Sequence, residues 1–176
     1  MLLINIDPFY KDIHVRQASL PRDSEQLLDF QRENIHHPLW TFQPQQATND
    51  STWQVLLKLP AYNAYIISHK ETPLFALELM PMSEMEYSTH YDEEPGDYWL
   101  RLNPLSPTQP EEVLVSTLKA SINGIFVCTG IRRLIAPLHF SPPGNPLRQI
   151  LEMAGFVILK EHAGMGSTVI YGKSGH

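Results

Sequence analysis

Three polar side chains in the second half of the chain have types and positions that could perform chemistry. Asp97 stands at the start of an apolar run and offers a carboxylate, or else caps the local turn. Arg101 lies four residues further on, where its guanidinium can pair with an acid of the loop 81–96 or hold a carboxylate or phosphate through two hydrogen bonds. His139 follows a second apolar run, and an imidazole titrates near neutral pH. We therefore predict proton transfer at His139, with a surface histidine as the alternative.

Other chemical motifs are weaker. His36 and His37 are adjacent, and adjacent residues of a helix point about 100° apart, so they make a poor metal pair. His90 and Asp92 are supported by no H-E-x-x-H pattern and no cysteine pair. The sequence contains neither a nucleophile elbow nor a phosphate-binding Walker loop. We predict no metal site.

Composition bounds the class of protein. A chain of 176 residues with 43% hydrophobic content predicts one domain over residues 1–176, large enough for a core without disulfides. The single cysteine, Cys128, excludes an intramolecular disulfide, and its apolar neighbours Ile125 to Val127 predict a small buried side chain. The net charge of −6 argues against a nucleic-acid binder and fits a small or locally cationic substrate.

Targeting signals are not evident in the sequence. No apolar stretch approaches the roughly 20 residues that cross a bilayer. The first seven residues lack a basic region and a cleavage site of small residues, so they do not resemble a secretory signal. We therefore expect a cytoplasmic protein with no membrane partner.

Hydrophobic periodicity predicts the elements that must position these residues. The order is strand, two helices, three strands, then helix, strand, helix and a closing hairpin, which makes an α+β domain whose mixed, mostly antiparallel sheet is flanked by helices. The predicted strands cover 14–18, 64–68, 74–80, 97–103, 133–138, 156–160 and 168–171, and the predicted helices cover 20–35, 51–57, 110–127 and 146–154.

This order, with Ala154-Gly155-Phe156 after the last helix, resembles the GNAT acyltransferase fold. Within that fold, the segment containing His90-Tyr91-Asp92, Pro95-Gly96-Asp97 and Leu100-Arg101-Leu102 is most similar to the N-acyltransferases of hydroxamate siderophore biosynthesis. The resemblance implies transfer of an acyl group from acyl-CoA, the co-substrate, to an N-hydroxylated lysine or ornithine. The partner would be this small amine.

The resemblance also implies site residues, with departures from the family pattern. The family histidine aligns with Arg101, a glycine aligns with Trp99, and a later acid aligns with His139. Guanidinium cannot act as a general base. The predicted catalytic residues are Asp97, His139 and Arg101, and the predicted cofactor-binding residues are Leu102, Asn103, Thr108 and Asn145, of which Asn145 can instead cap a helix.

The phosphate loop departs furthest from the family. CoA pyrophosphate sits on free N–H groups at a helix start, reached through glycines. Here the run Thr108-Gln109-Pro110-Glu111 matches a capping box that would occupy those groups, and Glu111 and Glu112 add negative charge. Two alternatives therefore stand beside the enzyme: a GNAT-like binding or interaction domain that does not use CoA, and a GNAT enzyme acting on another amine or a protein N-terminus.

Overall fold

Seven strands and two helices make up the described part of the chain. The computed structural model describes residues 4, 10–19, 22–23, 61–84, 91–138, 145–162 and 168–175. The elements are β1 (Ile13–Gln17), β2 (Asn63–His69), β3 (Thr72–Pro81), a 3-10 turn (Met82–Glu84), β4 (Asp97–Pro104), α1 (Glu111–Thr129), β5 (Arg133–Leu138), α2 (Pro146–Met153), β6 (Val157–His162) and β7 (Thr168–Ser174).

Each of the predicted strands, and both later helices, is confirmed with ends shifted by a few residues. β3 begins two residues earlier than predicted, because Thr72 and Pro73 already belong to the strand. The chain reverses at Lys70, whose φ of 54° is left-handed, and at Glu71. The helices predicted for 20–35 and 51–57 lie outside the described residues, apart from isolated positions.

The sheet is mixed, as predicted. Its strand order is β1-β2-β3-β4-β5-β7-β6, and every neighbouring pair is antiparallel except β4 with β5. A parallel pair requires a crossover connection, and α1 supplies it. The strand order places this parallel pair near the centre of the sheet.

The main core lies on the face of the sheet that carries both helices, here called the helix face. Leu77, Leu100 and Leu134 pack there with Leu118 of α1 and Leu151 of α2, all essentially buried. The opposite face, here called the second face, carries two smaller clusters. One contains Ala64, Ile66, Ala76 and Leu105, and the other contains Met82, Tyr91, Ile135 and Ile170, with Trp99 packed against it.

The end of α1 corrects the prediction for Cys128, which is exposed rather than buried. The apolar run is longer than the buried stripe of the helix. Ile125 is 1% exposed against the core, but two residues of a helix span about 200°, so Val127 points outward at 73% exposure. Gly130, at φ 71°, then ends the helix.

The length and composition of α1 would also allow it to span a membrane. Eight of its residues are buried in the domain, however, and the core helix of a globular protein meets the same criteria.

Candidate active site

A gap opens in the middle of the sheet where β4 and β5 separate. The two strands pair only at Asp97 with Arg133, Tyr98 with Leu134, and Trp99 with Ile135. Beyond that pair, and among the residues that the structure describes, β4 continues to Pro104 against β3 alone, while β5 continues to Leu138 against β7 alone. The free edge of β4 extends about 16 Å, at roughly 3.3 Å per residue. We call this opening the β4–β5 gap.

The chemistry of β5 suits this separation. Pro137 is the second residue beyond the last pair, and proline has no N–H to donate to a neighbouring strand. A proline is tolerated in a sheet where its nitrogen meets an edge rather than a ladder. Past Ile135, β5 therefore behaves as an edge strand toward β4.

Arg101 lies beside the gap but is tied to β3. It is the direct cross-strand partner of Glu78. Its Nε donates to Glu78 Oε1 at 2.8 Å, and its Nη2 lies 2.6 Å from Oε2. The Glu78 side chain is 0% exposed and that of Arg101 is 25% exposed. The sequence predicted, as one alternative, that Arg101 pairs with an acid of the loop. An ion pair is present, but its acid is Glu78 of the neighbouring strand β3.

Glu78 was missed at the sequence level, although it was visible as the one acid inside the apolar strand 74–80. Two further donors complete its shell. Tyr62 donates its hydroxyl at 2.5 Å, and Asn103 donates its side-chain amide at 2.7 Å. Asn103, predicted to contact the cofactor, therefore uses its side chain within the sheet.

The pKa values in this cluster are set by burial and by the negative charge of the Glu78 carboxylate. Burial and then the negative charge of Glu78 raise the pKa of Tyr62, so its hydroxyl remains a donor. Burial alone would lower the pKa of Arg101, but the adjacent Glu78 outweighs it and raises that pKa. The guanidinium stays charged and fixed in place.

The buried pair yields a stability prediction. Glu78→Leu leaves the Arg101 charge without its partner and should lower the free energy of unfolding by about 3 kcal/mol. The double change Glu78→Leu/Arg101→Met removes both charges and should recover part of that loss. The rest remains, because the buried donors of Tyr62 and Asn103 still lack their acceptor. Urea unfolding of the three proteins measures both effects. A double variant no more stable than Glu78→Leu would contradict this account.

Asp97 lies at the closed end of the gap, in the first pair of the parallel ladder. Arg133 donates to both of its oxygens, from Nε at 2.7 Å and Nη2 at 2.6 Å. The Tyr91 hydroxyl and the Glu94 N–H also donate to it, at 3.0 and 2.9 Å. Arg133 in turn bonds the Glu94 carboxylate and the Asp92 carbonyl. Asp97 therefore fastens the acidic loop to the start of β5.

These donors set the ionisation of the cluster. Burial alone would raise the pKa of Asp97, but the hydrogen bonds from Arg133, Glu94 and Tyr91 together lower it. Burial and the bond to Asp97 raise the pKa of Tyr91. Asp97 is therefore a carboxylate saturated with donors. Its predicted catalytic role stays a prediction, and any such role would act through the residues it holds.

Asp97→Asn should lower the free energy of unfolding by about 3 kcal/mol at neutral pH, because it breaks the pair with Arg133. The folded-state pKa of Asp97 lies below its unfolded value of about 3.9, so this stabilisation is present above that value. It is lost as the pH falls through the folded pKa, so the difference between the proteins should narrow under acid. Urea unfolding across pH measures this.

The control for this series is Asp92→Asn, which removes the same charge from an exposed side chain of the same loop. It should change stability by less than about 1 kcal/mol at any pH. If Asp97→Asn and Asp92→Asn lost the same free energy of unfolding, the contacts of Asp97 would contribute no more than an exposed charge does.

The start of α1 corrects the predicted capping box. Pro110 is the N-cap residue, and no side chain caps the helix. Thr108 lies two residues too early, because a turn in which the Gln109 N–H bonds Ser106 O at 3.2 Å precedes the helix. The N–H groups of Val113 and Leu114 bond Pro110 O. The first N–H groups of α1 are therefore not occupied by Thr108.

The remaining predicted residues fall in different places. Leu102 is buried in the main core on the helix face. Asn145 accepts the Leu147 N–H at 2.8 Å and so caps α2, the structural role that the sequence allowed. Thr108 is exposed before α1, and His139 lies just past β5, outside the described residues. Among the side chains that the structure describes, no three His, Cys, Asp or Glu residues gather as metal ligands.

Comparisons place this geometry among known structures. No protein-family model matches the sequence. No curated protein matches it either. Solved structures do match, over most of the chain.

Aminoglycoside acetyltransferase AAC(6')-Ib, solved with coenzyme A, matches with a TM-score of 0.72 at 14% identity, covering 92% of this chain and 94% of its own. RimL, an alpha-N-protein acetyltransferase of ribosomal L7/L12 solved with coenzyme A, matches at 0.69 and 12%, covering 96% and 97%. RimJ of Mycobacterium smegmatis, solved with CoA-disulfide, matches at 0.65 and 12%, covering 92% and 81%.

The chain therefore has the fold of the GNAT acetyltransferases, as its sequence predicted. At these identities the likeness establishes the fold alone. The siderophore subtype stays a prediction from the sequence.

Proposed function

We propose that this protein is an N-acyltransferase that transfers an acyl group from acyl-CoA to an N-hydroxylated lysine- or ornithine-type amine in siderophore biosynthesis. The observation that carries the cofactor assignment is the β4–β5 gap. Its free β4 edge offers backbone N–H groups that can polarise a thioester carbonyl. The fold neighbours named above were solved with CoA, which supports the binding of acyl-CoA by this protein.

The start of α1 supports a place for the CoA phosphates. It follows β4 directly, at the open end of the gap, and side chains do not cap its first N–H groups. Such groups and the helix dipole attract anions. Glu111 and Glu112 are exposed in that first turn and oppose this attraction by about 0.3–1 kcal/mol each. The two glutamates therefore weaken the proposed site for the CoA phosphates but do not block it.

The acceptor assignment rests on the resemblance of residues 91–102 and on charge. Asp92, Glu93 and Glu94 are exposed at the closed end of the gap, where they can attract the cationic amine of a lysine or ornithine derivative. In the reaction, the hydroxylamine nitrogen forms a bond to the thioester carbon, the carbon–sulfur bond breaks, and CoA leaves as a thiol. The nitrogen gives up one proton, for which His139 is the proposed acceptor, and His139 passes this proton to the departing sulfur.

The other proposed residues hold the reacting groups in place. Asp97 fixes β4 at the closed end of the gap through Arg133, and Arg101 fixes it beside the free edge through Glu78. We propose that the backbone at Leu102 and Asn103 meets the thioester arm, with Thr108 and Asn145 near the remainder of the cofactor. A cytoplasmic location, where acyl-CoA is available, belongs to the same proposal.

The experiment is release of CoA thiol from acetyl-CoA with N6-hydroxylysine as acceptor. We expect turnover with N6-hydroxylysine and at least about tenfold less with lysine, whose amine is protonated at neutral pH. A peptide with a free N-terminus and an aminoglycoside serve as controls for the other acceptor classes. Faster turnover with either control than with N6-hydroxylysine would replace the proposed acceptor while keeping the enzyme class.

The rival function is a GNAT-like binding or interaction domain that does not use CoA, which the two glutamates at the α1 start favour. Thermal unfolding with acetyl-CoA separates the two. A ligand at 100 times its dissociation constant adds about 2.7 kcal/mol of stability. No shift at millimolar acetyl-CoA would leave the rival as the better account.

A further inference from the structure

Trp99 occupies the floor of the β4–β5 gap. It forms the last parallel pair, with Ile135, and its side chain is half-buried on the second face. The next residue of β4 toward the open end, Leu100, has no partner on β5. The paired backbone of Trp99 and Ile135 therefore closes the gap at the end opposite its opening, and the indole of Trp99 lies beside this closed end on the second face.

The indole makes two sets of contacts on the second face. It packs against the buried cluster that includes Tyr91, Ile135 and Ile170. The guanidinium of Arg101 lies 5.6 Å from the ring centroid, within cation–π distance. Arg101 is itself fixed by the fully buried Glu78. Trp99 cannot swing aside without breaking one of these contacts, so it forms a rigid surface.

We propose that Trp99 closes the acyl end of the gap and restricts this protein to short acyl groups. The inference rests on the proposed use of acyl-CoA. CoA with its phosphates at the start of α1 would have its arm along the free edge of β4, which ends at Trp99. The acyl group would be the far end of that arm, and so the part nearest the indole. An acetyl group would end before the indole, whereas a longer chain would have to displace it.

Calorimetric titration with acetyl-, butyryl- and octanoyl-CoA tests this on the wild type, Trp99→Ala and Trp99→Leu. The wild type should bind octanoyl-CoA at least roughly tenfold more weakly than acetyl-CoA, a discrimination typical of a closed apolar pocket. Trp99→Ala should reverse that order. Trp99→Leu, which leaves less of a cavity, should reduce the discrimination without abolishing it. Free CoA should bind all three proteins equally.

Tyr98→Ala is the matched control. Tyr98 is the neighbouring aromatic residue of β4 and is equally half-buried, but it packs against the main core on the helix face. Its loss should leave the chain-length order of the wild type unchanged.

The outcomes separate the two proposals. If the wild type binds acetyl-CoA but Trp99→Ala and Trp99→Leu keep its chain-length order, the role of Trp99 is overturned and the proposed function stands. The role of Trp99 is equally overturned if Tyr98→Ala changes the order as much as Trp99→Ala does. If the wild type binds no acyl-CoA, both proposals fall together.

Discussion

The end of parallel pairing at Trp99 and Ile135 is the constraint on which the rest of the structure depends. A seven-stranded sheet would ordinarily satisfy its inner strands on both edges, yet here two central strands each keep one edge open. The opening follows from the chain itself: α1 forces a parallel crossover, and Pro137 removes a donor where β5 would continue beside β4. The result is the β4–β5 gap, whose edges are formed by backbone groups rather than by side chains.

Two ion pairs stabilise a strand that has lost half of its ladder. Arg133 and Asp97 join β4 to β5 at the closed end, and Glu78 and Arg101 join β4 to β3 beside the gap. Buried ion pairs are an inefficient source of stability, because desolvation offsets much of their attraction. Their positions suggest a geometric role, since they fix the segment of β4 that a thioester would approach. Precise placement of a reacting carbonyl is worth more than strong binding in such a site.

Much of the fold could be predicted because its signals are local. Alternation in residues 97–103 and the apolar run in residues 133–138 predict strands, and the glycine at 155 marks the end of a helix, whatever the rest of the chain does. The β4–β5 gap could not be predicted in this way, because the point where two strands part depends on residues more than 30 positions apart.

The candidate active site was harder to predict than the fold, for the same reason. Arg101 was singled out, but its partner Glu78 lies on another strand and contributes no local motif. The prediction of a capping box was wrong because a matching run of residue types does not fix where the helix begins. The predicted burial of Cys128 was wrong because an apolar run at a helix end turns away from the core within one turn.

The central claim is that the free edge of β4 receives the thioester arm of acyl-CoA. Amide hydrogen exchange with and without saturating acetyl-CoA tests it most directly, because it reports on the backbone groups that the claim invokes. The account predicts slower exchange in residues 100–103 and at the start of α1, with β1 and β2 unchanged. Unchanged exchange in residues 100–103, despite demonstrated binding of acetyl-CoA, would contradict it.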